Sequence, residues 1–151
     1  GPAGDLALAG ALRLAATTAR LGSPEIRWGR IPSAGGTQRL TRIAGQAIAR
    51  QLLLLGELLT ADEAFQLGLV HQVAPPDGLD GLQQDLLNTL KGNAPMALAY
   101  AKEAVRQGAD MSLADGLRLE ADLSALLQTT RDRAEGIAAF LQRRPPHFTG
   151  H

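Results

Sequence analysis

The residue of this sequence best suited to acid–base chemistry is Glu25. It lies in "SPEIRWGRIPSAGGTQRL", Ser23 to Leu40, directly after Pro24, before Ile26 and Trp28, and upstream of the pair Gly35-Gly36. An acid in apolar surroundings is penalised for carrying charge, which is the property a general acid or base needs near neutral pH. The glycines that follow let backbone approach a ligand closely. A plainer reading stands beside this one, in which Glu25 is a strand-edge acid paired with Arg27, Arg30 or another surface base. Trp28, the only tryptophan, reads as core or as the wall of a binding pocket.

Other chemistries find less support. "AGGT" lacks the lysine and the spacing of a phosphate-binding P-loop. His71 has no acid or serine at triad spacing and reads as structural. The three histidines, His71, His147 and His151, are too scattered for a metal site, and the absence of cysteine removes disulfides, thiolate-bound zinc and thiol nucleophiles together.

Glu25 must be positioned by short elements in the first half. "DLALAGALRLAA" reads as a short helix leading into a strand near Leu12 to Ala16, and Pro24 to Gly29 as a second short strand. Pro32 and Gly35-Gly36 impose a turn, after which Thr37 is expected to cap a helix over "QRLTRIAG". A second helix, "QAIARQLLLLG", follows Gly45 and stops at Gly56. Thr60 with Glu63 forms a capping box ahead of a helix that stops at Gly68, and "LVHQVAP" reads as a strand closed by Pro75-Pro76. Helices are expected over 79–91, 95–107 and 112–128, the last with Asp115 completing a box, and then over 130–143 up to Pro145-Pro146. Strands so few and short cannot close a sheet among themselves, so the pattern predicts the second part of a larger fold or a sheet completed by another chain.

Composition narrows the partners. Fifteen basic and fifteen acidic residues cancel without forming blocks, which argues against nucleic acid. No apolar run approaches the roughly 20 residues needed to cross a bilayer, since "QLLLLGELL" is broken by Gly56 and Glu57. The first ten residues have no basic segment before an apolar stretch and do not read as a signal peptide. A soluble, cytoplasmic protein is the expectation.

Three consecutive stretches, "PEIRWGRIPSAGGTQRLTRIAG", "TADEAFQLGLVHQV" and "RDRAEGIAAFLQRRPPHF", resemble signatures of the crotonase (enoyl-CoA hydratase/isomerase) superfamily. The match runs in order through the chain and corresponds to roughly the C-terminal half of a typical member. The resemblance implies an α/β fold, a crotonase-like spiral of strand-strand-helix turns, of which this chain supplies a mostly helical part with few strands. Residues 1–78 would belong to the spiral core, and 79–151 to C-terminal helices that cover the acyl-CoA and drive assembly as a homotrimer or dimer of trimers.

Family hydratases hold a water against an enoyl double bond with two acids, while two backbone N–H groups bind the thioester oxygen. Glu25 matches the second acid, and "PAGDLALAG" brings Asp5 to the position of the first, where glutamate is usual. Aspartate is shorter by one methylene, which bears on the positioning of the water. Pro2 falls where an oxyanion-hole glycine would supply an N–H that proline lacks, leaving Gly4 as the glycine nearest that role. Ser33 stands where dienoyl isomerases carry a further acid, so that activity is not implied, and Ser33 and Trp28 remain substrate-binding candidates. Phe140 and Arg143 match an aromatic and a base placed over the CoA, although "QRRPPHF" reads equally as a solvated basic tail.

The resemblance thus implies hydration of a 2-enoyl-CoA thioester, with coenzyme A part of the substrate and no metal or redox cofactor. Isomerisation or decarboxylation on the same fold, or a non-catalytic oligomerisation module, are the alternatives.

Overall fold

The computed structural model describes Gly1–His151. The chain divides into two compact units, Gly1–Gln83 and Gln84–His151.

The first unit opens with α1 (Pro2–Ala7), followed by β1 (Leu14–Ala16) and β2 (Arg20–Gly22). Pro24 then starts a 3₁₀ turn, Pro24–Trp28, where an extended strand was expected. Proline has the φ such a turn requires and no N–H to leave unpaired at its start. The turn closes through Gly29 N–H on the Ile26 carbonyl and Arg30 N–H on the Glu25 carbonyl, both at 3.1 Å. The strand lies just before it, as β2.

α2 (Gly36–Leu55) contains the break expected at Gly45, whose φ of 79° and ψ of 165° are not helical. Its cap differs from expectation. Gly35, at φ 80°, is the N-cap, so Thr37 sits inside the first turn and its carbonyl accepts from the Thr41 hydroxyl at 2.7 Å. The turn needs a left-handed residue, and the helix starts as soon as that residue is passed.

β3 (Leu58–Thr60) pairs antiparallel with β2, placing Arg20 opposite Thr60 and Gly22 opposite Leu58. Gly22 permits this approach: a Cβ there would lie 2.1 Å from the Glu57 carbonyl oxygen. α3 (Ala61–Gln66) begins with the expected capping box, in which the Thr60 hydroxyl accepts from Glu63 N–H and the Glu63 carboxylate accepts from Thr60 N–H. β4 (Gln72–Ala74) runs parallel to β1, so the unit holds two separate two-stranded ladders. Its core is small-residue rich: Ala15, Ala49, Ala61 and Ala64 with Leu40, Leu52, Leu69 and Val70.

α4 (Leu79–Lys91) spans the division between the units. The second unit continues with α5 (Pro95–Gly108), α6 (Leu113–Leu127) and α7 (Arg131–Gln142), of which α5 and α6 pack together. Ser112 and Thr130 cap α6 and α7 by accepting from the N–H three residues on. The box expected at α6 is half formed, because Asp115 bonds the Ser112 hydroxyl at 2.6 Å and is too short to return to the cap's own N–H.

The tail after α7 is folded back. Asp132 accepts from the N–H groups of Thr149 and Gly150 at 2.7 and 2.8 Å, and Glu135 accepts two bonds from Arg144 and one from His147 N–H. Arg144 chiefly, with the His147 N–H, pulls the Glu135 carboxyl down to about 2; the N–H of Thr149 leads in lowering that of Asp132. "QRRPPHF" is therefore pinned rather than freely solvated. No helix is long and apolar enough to cross a membrane.

Candidate active site

Two carboxylates of the first unit are shielded from water and incompletely bonded. Asp5, on α1, is 2% exposed. Its Oδ1 accepts a long hydrogen bond, 3.4 Å, from the hydroxyl of Ser23, while its Oδ2 has no partner. Glu25 projects from the 3₁₀ turn with its side chain 12% exposed; its Oε1 lies 3.4 Å from the Gly1 nitrogen, and its Oε2 has no partner. No bond to Arg27 or Arg30 is formed, and the only cationic group paired with Glu25 is the amino group at Gly1. A buried carboxylate oxygen without a donor is costly, so each oxygen is poised to accept a hydrogen bond from something that enters the site.

The backbone around Asp5 is made for close approach. Gly36 opens α2 directly against the carboxylate, where a Cβ would lie 2.1 Å from Oδ1 and 2.9 Å from Pro32 Cβ. Arg39, one turn into α2, donates from Nη1 to the carbonyls of Ala34 and Asp5, tying the Pro32–Gly35 turn to α1. The "AGGTQRL" stretch thus serves as the seat of the acid on α1. Asp5, Gly4 and Ser23 also line a cavity of about 30 Å³, closed on the other sides by leucines such as Leu8, Leu40 and Leu52. Glu25 does not line that cavity.

Among the other expected residues, Gly4 keeps a backbone N–H in the first turn of α1, where helix geometry offers no acceptor, while Pro2 at the first helical position has none to give. Trp28 is 69% exposed, so it is not core. Ser33 is exposed in the turn before α2. Phe140, 81% exposed, and Arg143 belong to the second unit; Arg143 ends α7 in the left-handed conformation, φ 52°. His71 is bound structurally: its Nδ1 accepts from Arg13 N–H at 3.0 Å and its own N–H donates to the Arg13 carbonyl at 2.7 Å. The Arg13 side chain adds bonds to the carbonyls of Gly10, Gly68 and Leu69, and partial burial lowers its pKa. No group of three His, Cys, Asp or Glu side chains is placed to hold a metal ion.

The residue that sequence reasoning missed is Ser23. A serine before proline reads as a turn or cap residue, and nothing local points its hydroxyl at an acid eighteen positions away.

The family model for enoyl-CoA hydratase/isomerase matches residues 2–151. The chain belongs to the enoyl-CoA hydratase/isomerase family. It is 44% identical over 97% of its length to a 2,3-dehydroadipyl-CoA hydratase of Escherichia coli, of which it covers 57%. It is 40% identical over 90% of its length to a short-chain-enoyl-CoA hydratase of Clostridioides difficile, covering 88% of that protein. An enoyl-CoA hydratase subunit I from Geobacillus kaustophilus superposes with a TM-score of 0.94 at 40% identity, over 98% of this chain and 58% of that one. The fold is therefore that of the crotonase-type hydratases, as expected. The chain spans little more than half the length of the Escherichia coli and Geobacillus proteins.

Proposed function

We propose that this chain carries the acid pair of an enzyme that adds water across the double bond of a 2-enoyl-CoA thioester. The observation that carries the reading is the pair of shielded carboxylates, Asp5 and Glu25, each with one oxygen left unpartnered and both governed by the segment Ser23–Glu25. Asp5 takes a proton from the water as its oxygen bonds to the β-carbon. The π electrons move toward the thioester carbonyl, Glu25 gives a proton to the α-carbon, and proton exchange between the acids restores the pair. Charge that develops on the thioester oxygen needs N–H donors, each worth about 2.7–4 kcal/mol in such sites. Gly4 is the donor candidate from this chain, because Pro2 cannot serve.

The chain is read as the C-terminal part of a longer relative, with the remaining donor and most of the CoA contacts supplied by the rest of the polypeptide. The resemblance assigns Trp28 and Ser33 to contacts with the substrate, and Phe140 and Arg143 to contacts with the CoA. Coenzyme A enters as part of the substrate. Assembly as a homotrimer or a dimer of trimers is part of the same reading and rests on the family resemblance; Val105, Leu113 and Leu141 of the second unit are exposed apolar side chains that an interface could cover.

Isomerisation or decarboxylation of an acyl-CoA is the second reading, favoured by the aspartate at position 5 and by the absence of Glu25 from the Asp5 cavity, since one well-placed acid suffices there. The test is hydration of crotonyl-CoA by the full polypeptide. Turnover reduced about 10²-fold or more by Glu25→Gln is expected. No hydration, with turnover of 3-enoyl or malonyl-type thioesters instead, would overturn the hydratase reading.

A further inference from the structure

We infer that Ser23 is a positioning residue for Asp5, and that its hydroxyl selects which carboxylate oxygen faces the reacting water. The kinetic part of this inference rests on the hydratase reading; the contact itself does not.

Ser23 occupies the N-cap of the Pro24–Trp28 turn, with φ −130° and ψ 76°, the place where a serine ordinarily accepts from the turn's own N–H groups. It makes no such cap. Its hydroxyl, on a residue 5% exposed, is directed instead to Asp5 Oδ1. The hydroxyl's one hydrogen bond is this long contact, 3.4 Å, with a carboxylate eighteen positions away.

The position of the hydroxyl is fixed from behind. Gly22, the preceding residue, is locked into the β2–β3 ladder opposite Leu58, with its Cα close against the Glu57 carbonyl. On its own side the Asp5 carboxylate is backed by Gly36, and its carbonyl lies 3.5 Å from Arg39 Nη1. With backbone anchored at both ends, the Ser23–Asp5 bond sets the remaining freedom, the rotation of the carboxylate. Oδ1 is engaged and Oδ2 is left to accept from water. Glu25 lies two residues along the same chain, so one short segment sets both acids.

The experiment compares wild type, Ser23→Ala and Ser23→Thr in the full polypeptide by crotonyl-CoA hydration. In parallel, a denaturation double-mutant cycle pairs Ser23→Ala with Asp5→Ala. A positioning role predicts that Ser23→Ala lowers kcat about tenfold with KM within about twofold, because the lost bond acts on the water and not on the thioester. Ser23→Thr, which keeps the hydroxyl, restores most of the rate. Ser23→Ala with unchanged kcat, or a loss of rate that threonine does not restore, overturns the inference. If the wild type hydrates no enoyl-CoA, the hydratase reading fails by itself and the cycle decides: non-additive stabilities uphold the Ser23–Asp5 contact, and additive ones overturn it.

Discussion

Adding a single methyl group at position 36 tests the seat of Asp5. Gly36→Ala would put a Cβ 2.1 Å from Asp5 Oδ1, 2.5 Å from its Cγ and 2.9 Å from Pro32 Cβ, where ordinary contact begins at 3.4 Å. The carboxylate must yield by more than an ångström. It cannot do so freely, because Asp5 is 2% exposed and its carboxylate is enclosed by its neighbours, the Ser23 hydroxyl adding a long bond of 3.4 Å. Overpacking of this kind typically costs about 1–3 kcal/mol of stability. Misplacing a reacting group by about 1 Å costs on the order of 10²-fold in rate. The assay is kcat for crotonyl-CoA hydration together with urea denaturation. Gly81→Ala on exposed α4 is the control, where nothing lies within 4 Å of the new methyl and a gain of up to about 1 kcal/mol is expected. Gly36→Ala with wild-type kcat would refute the claim that this glycine exists to seat the acid.

Two further expectations concern stability. Thr60→Ala removes the hydroxyl that accepts Glu63 N–H at 3.2 Å, and a loss of about 1 kcal/mol is expected by urea denaturation. Glu135 carries a carboxyl lowered from 4.5 to about 2, so its contribution is fully present above pH 4.5 and is lost as pH falls from there toward 2. Glu135→Gln should flatten the acid side of the stability–pH curve across that window, measured by denaturant titrations at stepped pH.

Features set by neighbours in sequence were legible beforehand. The Thr60–Glu63 box, the break at Gly45, the stop at Gly56 and the proline start of α5 each follow from a few adjacent side chains and backbone preferences. Features created by distant pairing were not. β3 is three residues with no alternation of its own, and only its partner β2 makes it a strand. Pro24–Trp28 has apolar residues that suit a strand, but proline at its head settles it as a turn. Glu25 was recognisable from its setting, and Asp5 through resemblance. Their shielding, and the hydroxyl of Ser23 between α1 and the turn, come from folding segments together. The clasp of Asp132 and Glu135 on the tail was hidden for the same reason, its partners lying nine to eighteen positions away.

The break at Gly45 changes what α2 is mechanically. A continuous helix is a stiff rod, because each amide passes load to the carbonyl one turn back. Here that ladder is cut, and the stretch bearing Gly36 and Arg39 is joined to the stretch bearing Ala49 and Leu52 by one residue in a left-handed, extended conformation. Both stretches reach the apolar core, the first through Leu40 and the second through Ala49 and Leu52, and the first alone also backs the acid on α1. What links core and carboxylate across Gly45 is therefore side-chain packing through Leu40 and not a continuous helical rod.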